Sequence, residues 1–323
     1  MADRFILSRK GMIPVAALVF LALAGLVLPV SALNLSATQY IGSTPAGGTA
    51  NYAILAGIPW GADPVDLLIE VVGIGQKPDL QYVAVEPIKD TYKYSGRKVV
   101  SVNEENVHLE PGIKKQIMLT FQLPADIGDE SRYAMVVVHT IPGKAVNASD
   151  VNIPVFLTPI GSSPTMAGSI TSLDAGTARA GQQATITTGY KNTGNIHQNN
   201  LVNTITINGP NGEVLGTYSG EPLSTALLPE KTFEFRVMPD NKNLPAGNYT
   251  ILSKISLGSG QVIDRKTTTF TVTQDSKLPV STTPAGSTPA VPATTKSSLP
   301  PVLGLVALAG ALIILSCRRQ QQK

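Results

Sequence analysis

The chain has one cysteine in 323 residues, Cys317, close to its end. No intramolecular disulfide is possible. Any extracellular domain here must be held by core burial, not by the staples that small secreted domains use. Charge is also scarce, at 15% Asp, Glu, Lys and Arg, and Glu/Lys-rich stretches of the kind that build helical bundles are few. The net charge of +3 is an effect of the ends. Arg4, Arg9, Lys10, Arg318, Arg319 and Lys323 lie there, against Asp3 alone. The chain between is close to neutral, so it has no electrostatic footprint for a nucleic acid.

Chemistry-bearing motifs are missing too. No Gly-x-Ser-x-Gly elbow occurs. Gly73-Ile74-Gly75 is half a dinucleotide fingerprint, with no helix expected after it. His108, His139 and His197 show no metal-ligand spacing. The first two read as sheet residues and His197 as a solvated loop residue. Asp240-Asn241-Lys242-Asn243 puts a lysine where a calcium loop needs oxygen, and Asp126, Asp129 and Glu130 read as a solvated turn. No catalytic, metal or cofactor residue is assigned, and the expectation is a non-enzyme with no cofactor.

The ends are informative. Met1 to Ala32 reads as a signal peptide: Arg9 and Lys10 precede an apolar run, and Val30-Ser31-Ala32 fits small-x-small cleavage. An uncleaved anchor is the alternative. Leu299 to Cys317 carries no charge and is followed by Arg318 and Arg319. This is the pattern of a transmembrane helix with a cytoplasmic basic tail, 318–323. Retention of the span and its removal as a sorting signal both stay open. Residues 274–298 form a Pro/Thr/Ser-rich stalk, which lacks the apolar mass for a core and is kept extended by proline.

Between these ends the pattern is strand-like. Runs such as Thr49 to Leu55, Val65 to Val72, Lys115 to Leu123, Arg132 to Thr140 and Val151 to Thr158 are rich in β-branched residues. Gly, Pro, Asn or Asp separates them. Ala184 to Tyr190, Thr204 to Ile207, Thr232 to Met238, Tyr249 to Leu257 and Arg265 to Val272 continue the series beyond a hinge at Gly161 to Met166. The expected fold is all-β, with two tandem immunoglobulin-like β-sandwich domains, 33–162 and 163–273. A weak repeat supports the pairing. Pro111, a strand, Pro124, Gly128 and Tyr133 are matched in order by Pro229, a strand, Pro239, Gly247 and Tyr249. Each tyrosine is placed to reach back to backbone as a tyrosine corner does.

Three segments match the N-glycosylation pattern, at Asn34, Asn147 and Asn248. Trp60 lies between Pro59 and Gly61, as a binding aromatic on a loop would; the alternative is that it caps the core. Tyr92 and Tyr94, with Lys93 between them and Arg97 nearby, form a second candidate partner surface.

Gly57 to Asp66 (GIPWGADPVD), Val71 to Gln76 (VVGIGQ), Asp90 to Arg97 (DTYKYSGR), Val107 to Gly112 (VHLEPG) and Leu123 to Tyr133 (LPADIGDESRY) resemble a family of archaeal, methanogen-type cell-surface proteins. The layout of signal, two sandwiches, stalk, span and basic tail is similar to that of WxL-interacting surface proteins. The LEPG…LP…Tyr series also resembles pilus-chaperone-like sandwiches, and Tyr190 to Asn195 resembles adhesion-type CARDB modules. The resemblance implies a single-pass protein of the cell membrane, with the bulk of the chain outside and the C-terminus cytoplasmic. The expected function is a membrane-anchored adhesion or scaffold protein presenting two modules to an envelope protein or glycan. The alternative is a non-catalytic accessory or substrate-binding subunit of a surface enzyme or assembly system.

Overall fold

Short β-branched runs punctuated by glycine and proline cannot sustain a helical apolar face, but they suit pleated strands packed on both sides. The computed structural model describes residues 33–141 and 150–274, all within one compact unit. The expected signal peptide, the stalk from Asp275 onward, the span Leu299 to Cys317, the basic tail and Asn147 lie outside the described residues. Among the described residues no helix is long and apolar enough to cross a membrane.

The first half contains β1 (Asn34–Leu35), β2 (Tyr40–Pro45), β3 (Thr49–Gly57), β4 (Val65–Gln76), β5 (Tyr82–Val85), β6 (Val100–Val102), β7 (Asn106–Leu109), β8 (Lys114–Gln122), β9 (Arg132–Ile141) and β10 (Asp150–Ile160). The second contains β11 (Gly168–Asp174), β12 (Thr177–Arg179), β13 (Ile186–Asn192), β14 (Val202–Asn208), β15 (Val214–Ser219), β16 (Thr232–Val237), β17 (Gly247–Ser256) and β18 (Val262–Thr273).

One strand order is used twice. In the first half β1-β3-β8-β6 forms one sheet and β2-β10-β9-β4-β5 the other, with β7 also on β4. In the second half β11-β13-β16 stands beside β12-β18-β17-β14-β15. In both, the opening strand breaks and its second piece pairs in parallel with the last strand, β2 on β10 and β12 on β18. This is the order of an immunoglobulin-type sandwich. The sequence repeat falls on matching strands, β8 into β9 and β16 into β17.

Each half has its own apolar core. Ile54, Leu67, Ile69, Leu119, Phe121 and Val136 belong to the first. Ile186, Ile205, Ile207, Ile251 and Phe270 belong to the second. Asn203, Thr188 and Ser253 are also fully buried in the second half. The three bond to one another at 2.8–3.1 Å, so the buried polar groups are mutually satisfied.

β9 departs from the alternation that a half-solvated strand shows. Ala134, Val136 and Val138 enter the first core, while Tyr133, Met135 and Val137 are buried on the opposite face. That outer face is covered by Ala226 and Leu228 of the second half.

Candidate functional site

The outer face of the second sheet of the first half is the floor of a sealed seam. Val72, Ile74, Tyr94, Tyr133, Met135 and Phe156 cluster there with Ala226 and Leu228, which precede β16. At the end of β4, Gln76 acts as a strand partner. Its Nε2 donates to the Ala226 carbonyl at 2.8 Å and its Oε1 accepts from Leu228 N–H at 3.0 Å. Tyr82 donates to the same Ala226 carbonyl at 2.7 Å, and Tyr92 donates to the Pro229 carbonyl at 2.9 Å. Leu80, in the turn after β4, has a left-handed backbone (φ 69°). Its side chain is buried among Tyr190, Leu201, Leu223, Leu227 and Phe235 of the second half.

Tyr133 and His197 close the seam. The Tyr133 hydroxyl accepts the His197 backbone N–H at 2.7 Å and lies 3.2 Å from the ring Nδ1. With its oxygen accepting, the hydroxyl can donate its proton to Nδ1, which requires a neutral imidazole protonated on Nε2. Burial lowers the His197 pKa to about 4, in keeping with that state. His197 is 6% exposed, which corrects the expectation of a solvated loop residue. The loop from Asn195 to Asn200 can be both polar and buried because its polar groups find partners on neighbouring segments. Gln198, fully buried, takes the Tyr190 hydroxyl at 2.8 Å and donates to the Ala167 carbonyl at 2.8 Å.

The repeat tyrosines therefore do different work. Tyr249 donates to the Pro245 carbonyl at 2.7 Å, as a tyrosine corner does. Tyr133 instead reaches across to the other half.

The stretch Asp90 to Arg97 is organised by Asp90. Its carboxylate accepts from Tyr92 N–H at 3.3 Å and from the Ser95 hydroxyl, and Arg97 Nε stands 3.8 Å away. It rests on Gly73, where a Cβ would come within 2.5 Å of the carboxyl carbon. This loop turns Tyr92 and Tyr94 inward. Tyr94 is 5% exposed and Tyr92 is bonded to Pro229, so these two tyrosines of the expected partner surface face an internal contact instead, while Arg97 is half-buried beside Asp90. Sequence reasoning missed Gln76, Leu80, Tyr82, Tyr133 and His197 as a set. The available signal was the unbroken apolar run Tyr133 to Val138, which a sheet with one wet face would not carry.

Trp60 sits apart from this set. It is in the loop before β4, whereas the seam lies at the far end of that strand. It is 83% exposed, so it does not cap the core. Its indole lies against Gly112, where φ is +76° and a Cβ would fall 2.2 Å from the ring. Leu35, Leu55, Ile58 and Lys114 line the same cleft of about 440 Å³, and Asn34 is on its rim. Asn248 is exposed on β17, its Oδ1 accepting from the Thr271 hydroxyl at 2.9 Å.

His108 and His139 are sheet residues, as expected, and each is held between two carboxylates. His108 contacts Asp66 at 2.7 Å and Glu110 at 3.1 Å. His139 contacts Asp150 at 2.8 Å and Glu70 at 3.3 Å. Hydrogen bonds to Asp66 and then Glu110 raise the His108 pKa. For His139 partial burial is the largest influence and lowers the pKa, but Asp150 and Glu70 together raise it overall. Among the described residues no group of three His, Cys, Asp or Glu side chains has metal-holding geometry.

No protein-family model and no curated protein matches the chain. Among solved structures it is similar to a chaperone–tip adhesin complex of CFA/I fimbriae biogenesis. The identity is 13%, the match covers 74% of this chain and 99% of that one, and the TM-score is 0.42. It is also similar to the class 5 fimbriae chaperone CfaA, with 13% identity, 74% and 99% coverage and a TM-score of 0.40. A third is the CsuC–CsuE chaperone–tip adhesion subunit pre-assembly complex of Acinetobacter baumannii, with 14% identity, 75% and 100% coverage and a TM-score of 0.36. Likeness at this level assigns no ligand and no activity to the chain.

Proposed function

We propose that the chain is a non-catalytic accessory protein of a cell-envelope assembly or surface system, acting through protein contacts as a rigid pair of immunoglobulin-like domains. In this reading Met1 to Ala32 directs export, and the stalk and Leu299 to Cys317 hold the pair outside the membrane. The surface-protein family resembled by the first half is the setting.

The seam carries the proposal. Gln76, Leu80, Tyr82, Tyr92 and Tyr133 fix one half to the other by apolar packing and hydrogen bonds at 2.7–3.0 Å. A locked pair presents its outer edges in one geometry, which suits holding a partner in register. An accessory role is favoured over the adhesion role expected from sequence because Tyr92 and Tyr94, two aromatics that would have served adhesion, are spent inside.

The test is photo-cross-linking on intact cells from probes at Ile88 and Val214, both exposed. A discrete adduct with the same envelope protein supports the reading. No adduct above an unirradiated control, with the chain shown to be on the outer surface, contradicts it.

A further inference from the structure

The Trp60 cleft and the first glycosylation pattern are far enough apart in sequence to be read separately, yet the fold puts them together. Asn34 pairs with Gly57 at the edge of the β1-β3-β8-β6 sheet. Gly57 leads into the loop that carries Trp60, and Asn34 and Trp60 line one cleft. We infer that this cleft is the seat of a glycan carried by the chain itself on Asn34, with the open face of Trp60 as its platform. The inference rests on the export part of the function proposed above.

The platform is built. Gly112 permits one indole face to lie flat on the backbone, and any larger residue there would collide with the ring. The other face is left to solvent, at the cost of exposing the largest apolar side chain in the protein. The negative face of an aromatic ring attracts the weakly positive C–H face of a pyranose, as it attracts other positive edges. The cleft's volume of about 440 Å³ lies within the range of small-ligand sites, roughly 300–1,000 Å³. A sugar tethered to Asn34 needs only weak affinity to occupy the ring, because its effective concentration is on the order of millimolar and a millimolar contact is then about half filled. Asn248 offers a contrast. It lies on a strand, its Oδ1 taken by Thr271, and it is not part of this cleft.

The attachment step is an ordinary glycosyl transfer. The Asn34 side-chain nitrogen attacks the anomeric carbon of a lipid-pyrophosphate-linked oligosaccharide. A C–N bond forms, the lipid pyrophosphate leaves, and one amide proton is lost to the transferase base. Ser36, the third residue of the pattern, accepts Leu55 N–H on its hydroxyl oxygen at 2.8 Å. Transfer is therefore placed before the β1 edge folds.

Trp60 is the one tryptophan in the chain, so its fluorescence reports this cleft alone. Full-length wild type, Asn34→Gln, Asn248→Gln and Ser36→Thr would be purified from their own envelope. Each would be peptide-mapped by mass spectrometry and titrated with acrylamide. The expected result is a glycan on the Asn34 peptide and an acrylamide quenching constant that at least doubles in Asn34→Gln. Asn248→Gln and Ser36→Thr, which keeps the acceptor pattern, should match wild type. An unmodified Asn34 beside a glycosylated Asn248 overturns the inference and leaves export standing. A glycosylated Asn34 with unchanged quenching in Asn34→Gln also overturns it. No glycan at any of the three patterns, on a chain that external protease shows to be outside, overturns it without touching the localisation. A chain sealed inside the cell defeats both.

Discussion

The hydroxyl of Tyr133, on β9, accepts the backbone N–H of His197 from the other half at 2.7 Å and faces that residue's Nδ1 at 3.2 Å. One oxygen thus satisfies two buried polar atoms across the seam. Tyr133→Phe keeps the ring packing and leaves both atoms unpaired. The expected loss is about 1–3 kcal/mol of unfolding free energy. It should be read as a lower denaturant midpoint at unchanged m-value, and an unchanged midpoint would mean that water replaces the hydroxyl.

His197 makes the seam acid-sensitive. Its folded pKa is lowered to about 4 by burial, against about 6.5 in an unfolded chain. Between these values the unfolded state binds a proton that the folded state refuses. Stability from this residue is therefore complete above about pH 6.5 and is lost as pH falls toward 4, by on the order of 3 kcal/mol. His108 and His139 act in the opposite sense. Their pKa values are raised, so their contribution is present below the unfolded pKa and lost as pH rises through the folded one. Unfolding free energy against pH should show a shallower slope between pH 4 and 6.5 in His197→Gln than in wild type.

Leu80 sets backbone strain against burial. A left-handed leucine costs about 1–2 kcal/mol, whereas removing a buried leucine side chain costs about 2–5 kcal/mol. Burial wins, so Leu80→Gly should destabilise by roughly 2 kcal/mol although it relieves the strain. A stabilised Leu80→Gly would show that the side chain contributes nothing across the seam.

Gly112→Ala should displace Trp60. The new methyl occupies the space of the indole, and the positive φ adds about 1–2 kcal/mol. In protein made in a host without N-glycosylation, the expected readout is a shift in tryptophan emission with a modest drop in melting temperature. Identical emission would place the indole elsewhere.

Much of the fold is legible in the sequence. The long strands β3, β4, β8, β9, β10, β13, β14, β16, β17 and β18 follow from β-branched runs and their punctuation. β1, β5, β6, β7 and β12 have two to four residues, too few for a period-two signal to stand out. The repeat of Pro, Gly and Tyr marked equivalent strands, but it could not show that Tyr133 and Tyr249 face opposite ways. That depends on which sheet face is covered, a tertiary fact. The same reason hid His197: a polar loop reads as solvated unless its buried partners are known. Trp60 was legible as a loop aromatic, while its meeting with Asn34 depends on the antiparallel register of β1 on β3.

Scanning calorimetry of the full chain in detergent shows whether the two halves unfold as one rigid body. One transition is expected, with calorimetric and van't Hoff enthalpies in agreement, which splits in two when Gln76→Ala is combined with Tyr133→Phe. Two separate transitions in the wild type, unchanged by those substitutions, would contradict a single rigid body.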